Sequence, residues 1–158
     1  MKKIGNIKDY KSPETRKMAE EKSTEYNSNG RTKEQHIKDI EEGELLVEAV
    51  VADHFQMEKY DKHTWADLIK DGKLFEVKMT RRNDKWWNFD EKKYNHFLEN
   101  HEKVDGIINV FLDKNGDVYL KTIANAKTFP DFVRKSNNGI GSYYNKFEAE
   151  RQDHCQNF

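Results

Sequence analysis

The dipeptide Asp71-Gly72 stands between two short apolar-rich runs, Ala66-Asp67-Leu68-Ile69 and Leu74-Phe75-Glu76-Val77-Lys78-Met79. A two-residue hairpin loop of type I′ needs φ > 0 at both central positions, and Asp-Gly is one of the few pairs that supply it. With that loop, Lys70 is expected to face Lys73, Ile69 Leu74, Leu68 Phe75, Asp67 Glu76 and Trp65 Lys78. Side chains alternate along a strand, so Asp67, Glu76 and Lys78 are predicted on one face, with Ala66, Leu68, Phe75, Val77 and Met79 on the other. Counting outward from the turn puts Asp67 and Glu76 at a non-hydrogen-bonded pair, with Cβ atoms roughly 4.5–5.5 Å apart.

Two carboxylates that close must hold a proton, neutralise against Lys78 or share a cation. A shared Mg²⁺, with Mn²⁺ able to replace it, suits hard oxygen ligands, since Mg²⁺ is usually bound by one or two carboxylates plus water and phosphate oxygens. A lysine beside such an ion can position water and stabilise negative charge on a phosphate. The competing reading is an exposed sheet face whose ion pairs contribute little. Three features favour a site: the acids face each other, a Glu-bearing helical segment stands upstream, and cations interleaved with aromatics follow at once.

Asp67 followed across a hairpin by Glu76-Val77-Lys78 resembles the active-site signature of the PD-(D/E)XK nuclease superfamily, whose members include restriction-endonuclease-like and Holliday-junction-resolvase-like enzymes. Gly43-Glu44-Leu45-Leu46-Val47-Glu48-Ala49-Val50-Val51 is similar to the Glu-bearing helix that precedes the hairpin in that family. Ala66 stands where the family name has Pro, and the likeness covers about the middle third of the chain. The resemblance implies a restriction-endonuclease-like α/β core, a mixed central sheet flanked by helices. It implies Asp67, Glu76 and the Val77 carbonyl as metal ligands, Lys78 as catalytic lysine, and Glu44 or Glu48 as the helix acid. The implied activity is Mg²⁺-dependent phosphodiester hydrolysis, expected to be endonucleolytic and on DNA. An RNA-directed nuclease and a non-catalytic nucleic-acid- or protein-binding module of the same fold are the alternatives.

Residues 1–30 read as a polar N-terminal arm with a marginal helix, Ser12 as N-cap and Pro13 at the first helical position. Residues 31–147 form the nuclease-like domain, and 148–158 a polar tail. Thr32 and Gln35 fit a capping box opening a helix that runs to about Met57, kinked or interrupted at Gly43. Its apolar stripe, Ile37, Ile40, Val47, Val50, Val51 and Phe55, contains Glu44 and leaves Glu48 at the edge, which favours Glu44 as the active-site acid. Arg81, Arg82, Lys85 and Trp86 suit phosphate contacts and stacking. Asp90 caps a helix from Glu91 to about Asn100, with Tyr94, Phe97 and Leu98 buried. Val104 to Leu112 reads as a central strand buried on both faces. Asn115-Gly116 is a turn, Val118 to Ile123 a returning strand, Phe129 to Val133 a short helix and Ser136 to Ser142 a loop.

One cysteine, Cys155, excludes an intrachain disulfide and a cysteine-based zinc cluster. The six histidines show no metal-ligand spacing. A net charge of −1 is not that of a protein that coats duplex DNA by bulk electrostatics, so the distribution of cations matters more than their sum. With 36% charged residues and a mean hydropathy of −1.11 the core is expected to be modest, but 12% aromatic residues argue against wholesale disorder. The absence of a signal-like or membrane-length apolar stretch leads to the expectation of a soluble cytoplasmic protein that binds nucleic acid and no membrane. A homodimer is expected if duplexes are cut, because that takes two incisions.

Overall fold

A computed structural model describes residues 1–25, 30–83, 86–89, 91–136 and 139–143. In chain order these form β1 (Lys2–Asn6), α1 (Pro13–Lys22), α2 (Lys33–Ile40), a π-helical turn (Glu41–Leu45), α3 (Leu46–Phe55), β2 (Glu58–Lys59), β3 (Leu68–Lys70) and β4 (Lys73–Thr80). There follow β5 (Trp86–Phe89), α4 (Glu91–Asn100), β6 (Gly106–Leu112), β7 (Asp117–Asn125), β8 (Arg134–Ser136) and β9 (Gly139–Tyr143). The architecture is mixed α/β. Six strands make the main sheet in the order β1-β7-β6-β4-β3-β2, and β5-β9-β8 make a smaller one.

Asp71 and Gly72 take φ of 51° and 76°, the two positive values a type I′ loop requires, and join β3 to β4. Lys70 pairs with Lys73, Ile69 with Leu74 and Leu68 with Phe75 as expected. β4 then runs parallel to β6, from Phe75 beside Gly106 to Thr80 beside Phe111. A parallel pair cannot close through a hairpin, and the connection passes through α4. β6 lies inside the sheet between β4 and β7, and every residue but Phe111 is buried, as its continuous apolar run requires. Asn115 and Gly116 turn the chain into β7, with Gly116 at φ 86°.

The two faces of the sheet carry separate cores. Leu46, Val47, Val50 and Val51 of α3 pack with Phe75, Ile108, Val110 and Leu112, and with the half-buried Val77 and Met79. On the other face Tyr94 and Phe97 of α4 pack with Phe89, Ile107, Ala124 and Phe129. Side chains of this kind contribute about 1.5–3 kcal/mol each when fully buried. β4 is therefore sandwiched, with odd-numbered residues toward α3 and even-numbered ones toward α4. No helix among the described residues is long and apolar enough to cross a membrane.

Three local expectations are corrected. Residues 2–6, assigned to an arm, are an edge strand: β1 pairs with β7, with a bulge between Lys3 and Gly5, and Ile7 is buried just beyond it. Leu98 is 37% exposed, because α4 meets the sheet through Tyr94 and Phe97 alone. The segment from Ser136 to Ser142, read as a loop from its glycines, includes the end of β8 and most of β9, whose partners are β8 and β5. The long helix is broken at Gly43 as anticipated, but by a π turn in which Leu46 N–H bonds to the Glu41 carbonyl. Both N-terminal capping boxes, Ser12 with Thr15 and Thr32 with Gln35, are formed. Asp90, His154 and Cys155 lie outside the described residues.

Candidate active site

Asp67 stands where β3 and β4 part. Leu68 and Phe75 are the last pair of the hairpin. Asp67 N–H then donates to the Phe75 carbonyl at 2.8 Å, and the Asp67 carbonyl accepts from Tyr60 N–H at 2.8 Å. The carboxylate reaches across to β4, where Oδ2 accepts from Val77 N–H at 2.8 Å. A side chain thus takes the place of the next main-chain acceptor, and neither the expected pairing of Asp67 with Glu76 nor that of Trp65 with Lys78 is formed. The N–H and C=O of a strand residue point to the same side, so the Val77 carbonyl also faces this open edge.

Glu76 and Lys78 lie on the α4 side of β4. Lys78 Nζ is 3.3 Å from Glu76 Oε1 and 4.7 Å from the centre of the Phe89 ring. The other Glu76 oxygen, Oε2, is buried without a hydrogen-bond partner. A carboxylate oxygen left so costs on the order of 1–3 kcal/mol or more. From the opposite side of β4, α3 delivers Glu48, which interacts with Asp67 through its side chain. Asp67 is in contact with both Glu48 and Glu76.

Burial sets the acidity of the cluster. It pushes Glu76 up to about 8, reinforced by the neighbouring Asp67 charge and opposed by Lys78. It also pushes Glu48 up to about 8, again with Asp67 adding to the effect and Lys22 opposing it. Asp67 is raised too, by burial, while the Val77 N–H and the Lys78 ammonium hold it down. Three carboxylates and one ammonium would leave two negative charges in a half-buried place if all ionised, which is the charge a divalent cation would offset.

The helix acid is where sequence periodicity misleads. In an unbroken α-helix Glu44 shares a stripe with Ile40, Val47 and Val51. The π turn adds about one residue to the spiral and rotates what precedes it, so Glu41 and Leu45 are buried while Glu44 is exposed. The buried Glu41 is engaged structurally, accepting from Thr15 Oγ1 at 2.7 Å. Glu44 still lines the cleft, but Glu48 is the carboxylate against Asp67. A Cβ at Gly43 would sit 2.9 Å from Met79 Cε of β4, the flexible end of a side chain that can move aside.

Glu44, Glu48, Asp67, Glu76, Val77 and Lys78 all line one cleft of about 1210 Å³. Sequence reasoning missed its far wall, where the His63 ring stacks on Trp65 with centroids 4.8 Å apart and planes 11° apart. The aromatic density of Tyr60, His63 and Trp65 just before Asp67 was the available signal. Lys92, Lys93 and His96 of α4 complete that side. Arg81 lies in an adjoining cavity instead, and Arg82 is exposed, its N–H bonded to Thr80 Oγ1. Trp86 is placed by the backbone of β5 only, and Lys85 lies outside the described residues.

The donor set fits a hard divalent cation: Asp67, Glu76 with its unpartnered oxygen, and a main-chain carbonyl on the same open edge. Among the described residues no three His, Cys, Asp or Glu side chains form a ready-made metal cage. Mg²⁺ bound by one or two carboxylates, with water completing its shell, needs none. No protein-family model matches the chain, and no curated protein matches it either.

Proposed function

We propose that the chain is a divalent-metal-dependent nuclease that hydrolyses phosphodiester bonds, with DNA as substrate and a restriction-endonuclease-like arrangement of its core. The observation that carries this reading is the buried Glu76 carboxylate, one oxygen held by Lys78 and the other unpartnered, beside Asp67 and Glu48.

Asp67, Glu76 and the Val77 carbonyl would hold Mg²⁺ or Mn²⁺. When bound, such an ion neutralises charge on a phosphate oxygen and makes a nearby water more acidic. The remaining work falls to the chain. Lys78 is restricted from two sides, by Glu76 Oε1 and by the Phe89 ring, so its ammonium is aimed before substrate arrives. It orients a water for in-line attack and donates to a phosphate oxygen as negative charge builds there. The water oxygen bonds to phosphorus, the opposite P–O ester bond breaks, and the departing oxygen takes up a proton from solvent water. Glu48, held against Asp67, is placed to take, in its ionised form, the proton the water gives up; it reaches that form above about pH 8 in the metal-free fold. The stacked His63 and Trp65 offer a flat apolar surface to a base or sugar next to the cleaved bond.

The experiment is cleavage of plasmid and single-stranded DNA with Mg²⁺ or Mn²⁺ by wild type, Glu76→Ala and Lys78→Ala. Cleavage by wild type alone, abolished by EDTA, supports the reading. Equal cleavage by all three proteins would place the activity elsewhere, and metal-independent binding without turnover would select a binding module.

A further inference from the structure

A second cavity, of about 590 Å³, opens beside the cleft and lies beyond the carboxyl ends of the parallel strands β4 and β6. Six cations line it: Lys8 and Lys11 from the turn after β1, Arg31 and Lys38 from the start and last turn of α2, Arg81 just past β4, and Lys114 from the β6–β7 turn. Only three acids share it, Asp39, Glu42 and Asp113, in a chain whose net charge is −1. Two of the cations are engaged, Arg31 with Asp39 at 3.0 Å and Lys11 with Glu41 at 4.0 Å. Lys8, Lys38, Arg81 and Lys114 are exposed and enter no ion pair among the described residues. The six cations, brought together from separate segments, outnumber the three acids that share the cavity, and an anionic ligand would offset the excess.

The cavity adjoins the cleft. Asp39 lines both, and Met79 on the cleft side is followed two residues later by Arg81 on the other. Three residues of extended strand separate Lys78 from Arg81, about 10 Å, which is the axial span of about three phosphates along one strand of a duplex.

We infer that this cavity is a second, non-catalytic site that holds the phosphate backbone of a polynucleotide about three nucleotides from the bond positioned at Lys78. The inference rests on the nuclease reading for the direction of the strand, but its test does not need turnover. Backbone contacts of this kind fix register and carry no sequence information. They give a protein of near-zero net charge a local electrostatic foothold that its overall composition lacks.

The test is fluorescence anisotropy with a labelled DNA duplex, in EDTA and across a range of salt, for wild type and two triple variants. In the first, Lys8, Lys38 and Lys114 are each changed to Glu; in the second, each is changed to Arg. Affinity at least tenfold lower in the Glu variant, a salt slope reduced by about 2–3, and retention of both in the Arg variant are expected. Circular dichroism melting shows whether these exposed substitutions leave the fold intact. Unchanged affinity and slope in a folded Glu variant would overturn the inference. So would capture of phosphatidylserine vesicles by wild type, lost in the Glu variant, with no DNA binding. If DNA binding depends on these lysines while wild type and Glu76→Ala cleave equally, the nuclease reading fails and the groove stands.

Discussion

Replacing Glu76 by Gln removes a buried charge while keeping its volume, and the metal-free variant should be more stable than wild type above neutral pH. Glu76 gives up its proton near 8 in the fold against an ordinary value of 4.5. Between those values the unfolded chain has released a proton that the folded chain keeps. Wild-type stability is therefore highest on the acid side of the window, falls as pH rises from about 4.5 to about 8, and then levels off. At about 1.4 kcal/mol per pH unit the loss is capped near 5 kcal/mol. Relaxation and water entry around a buried ion reduce it to on the order of 2 kcal/mol. For a chain of this size that corresponds to about 4–8 °C in Tm. Thermal melts of both proteins in EDTA, at pH 5 and pH 8.5, read it directly. The variant should match wild type at the lower pH and exceed it at the higher one. Added Mg²⁺ should raise the wild-type Tm and leave the variant's unchanged, because only a ligand-binding fold gains from mass action. Wild-type stability that is flat over this range, or a variant less stable than wild type at pH 8.5, would refute the assignment of Glu76 as a carboxyl that burial and the Asp67 charge keep protonated.

The two helix acids should separate in the cleavage assay: Glu48→Gln is expected to lower the rate by 10²-fold or more and Glu44→Gln by less than tenfold, since only Glu48 lies against Asp67. The glycines near the helices should separate in stability. A Cβ at Gly5 would sit 2.7 Å from Cγ1 of the branched, rigid Val50, so Gly5→Ala should cost about 1–3 kcal/mol by urea denaturation. The Cβ of Gly43→Ala meets only the flexible end of Met79, and that variant should unfold within about 0.5 kcal/mol of wild type.

What the sequence makes legible is what is decided locally. Asp71-Gly72 sets its own backbone conformation, and the pairing of Leu68 with Phe75 follows from it without reference to the rest of the chain. The continuous run of β6 requires cover on both faces wherever it is placed. β1 is not legible because Ile4 and Ile7 stand among lysines and the partner strand lies more than a hundred residues away. β9 is hidden by glycines that ordinarily mark a loop. At the candidate site Glu76 and Lys78 share a face as the alternation of β4 dictates, and Asp67 joins them from just before β3, but Glu44 and Glu48 exchange places. A period of 3.6 cannot register a π turn, which shifts every residue upstream of it by about a hundred degrees. The end of the β3–β4 ladder is similarly invisible: that Asp67 spends its carboxylate on Val77 N–H is a choice between two acceptors that pairing rules do not decide.

Calorimetric titration of the metal-free protein with Mn²⁺ tests the central claim most directly. Wild type should bind at Asp67 and Glu76 with release of protons, seen as heat that varies with the buffer's ionisation enthalpy, because burial holds the Glu76 proton up to about 8 when no cation is present. Glu76→Gln should lose that binding and its proton release together. Binding that is equally tight in both proteins, or no binding by the folded wild type, would contradict the account.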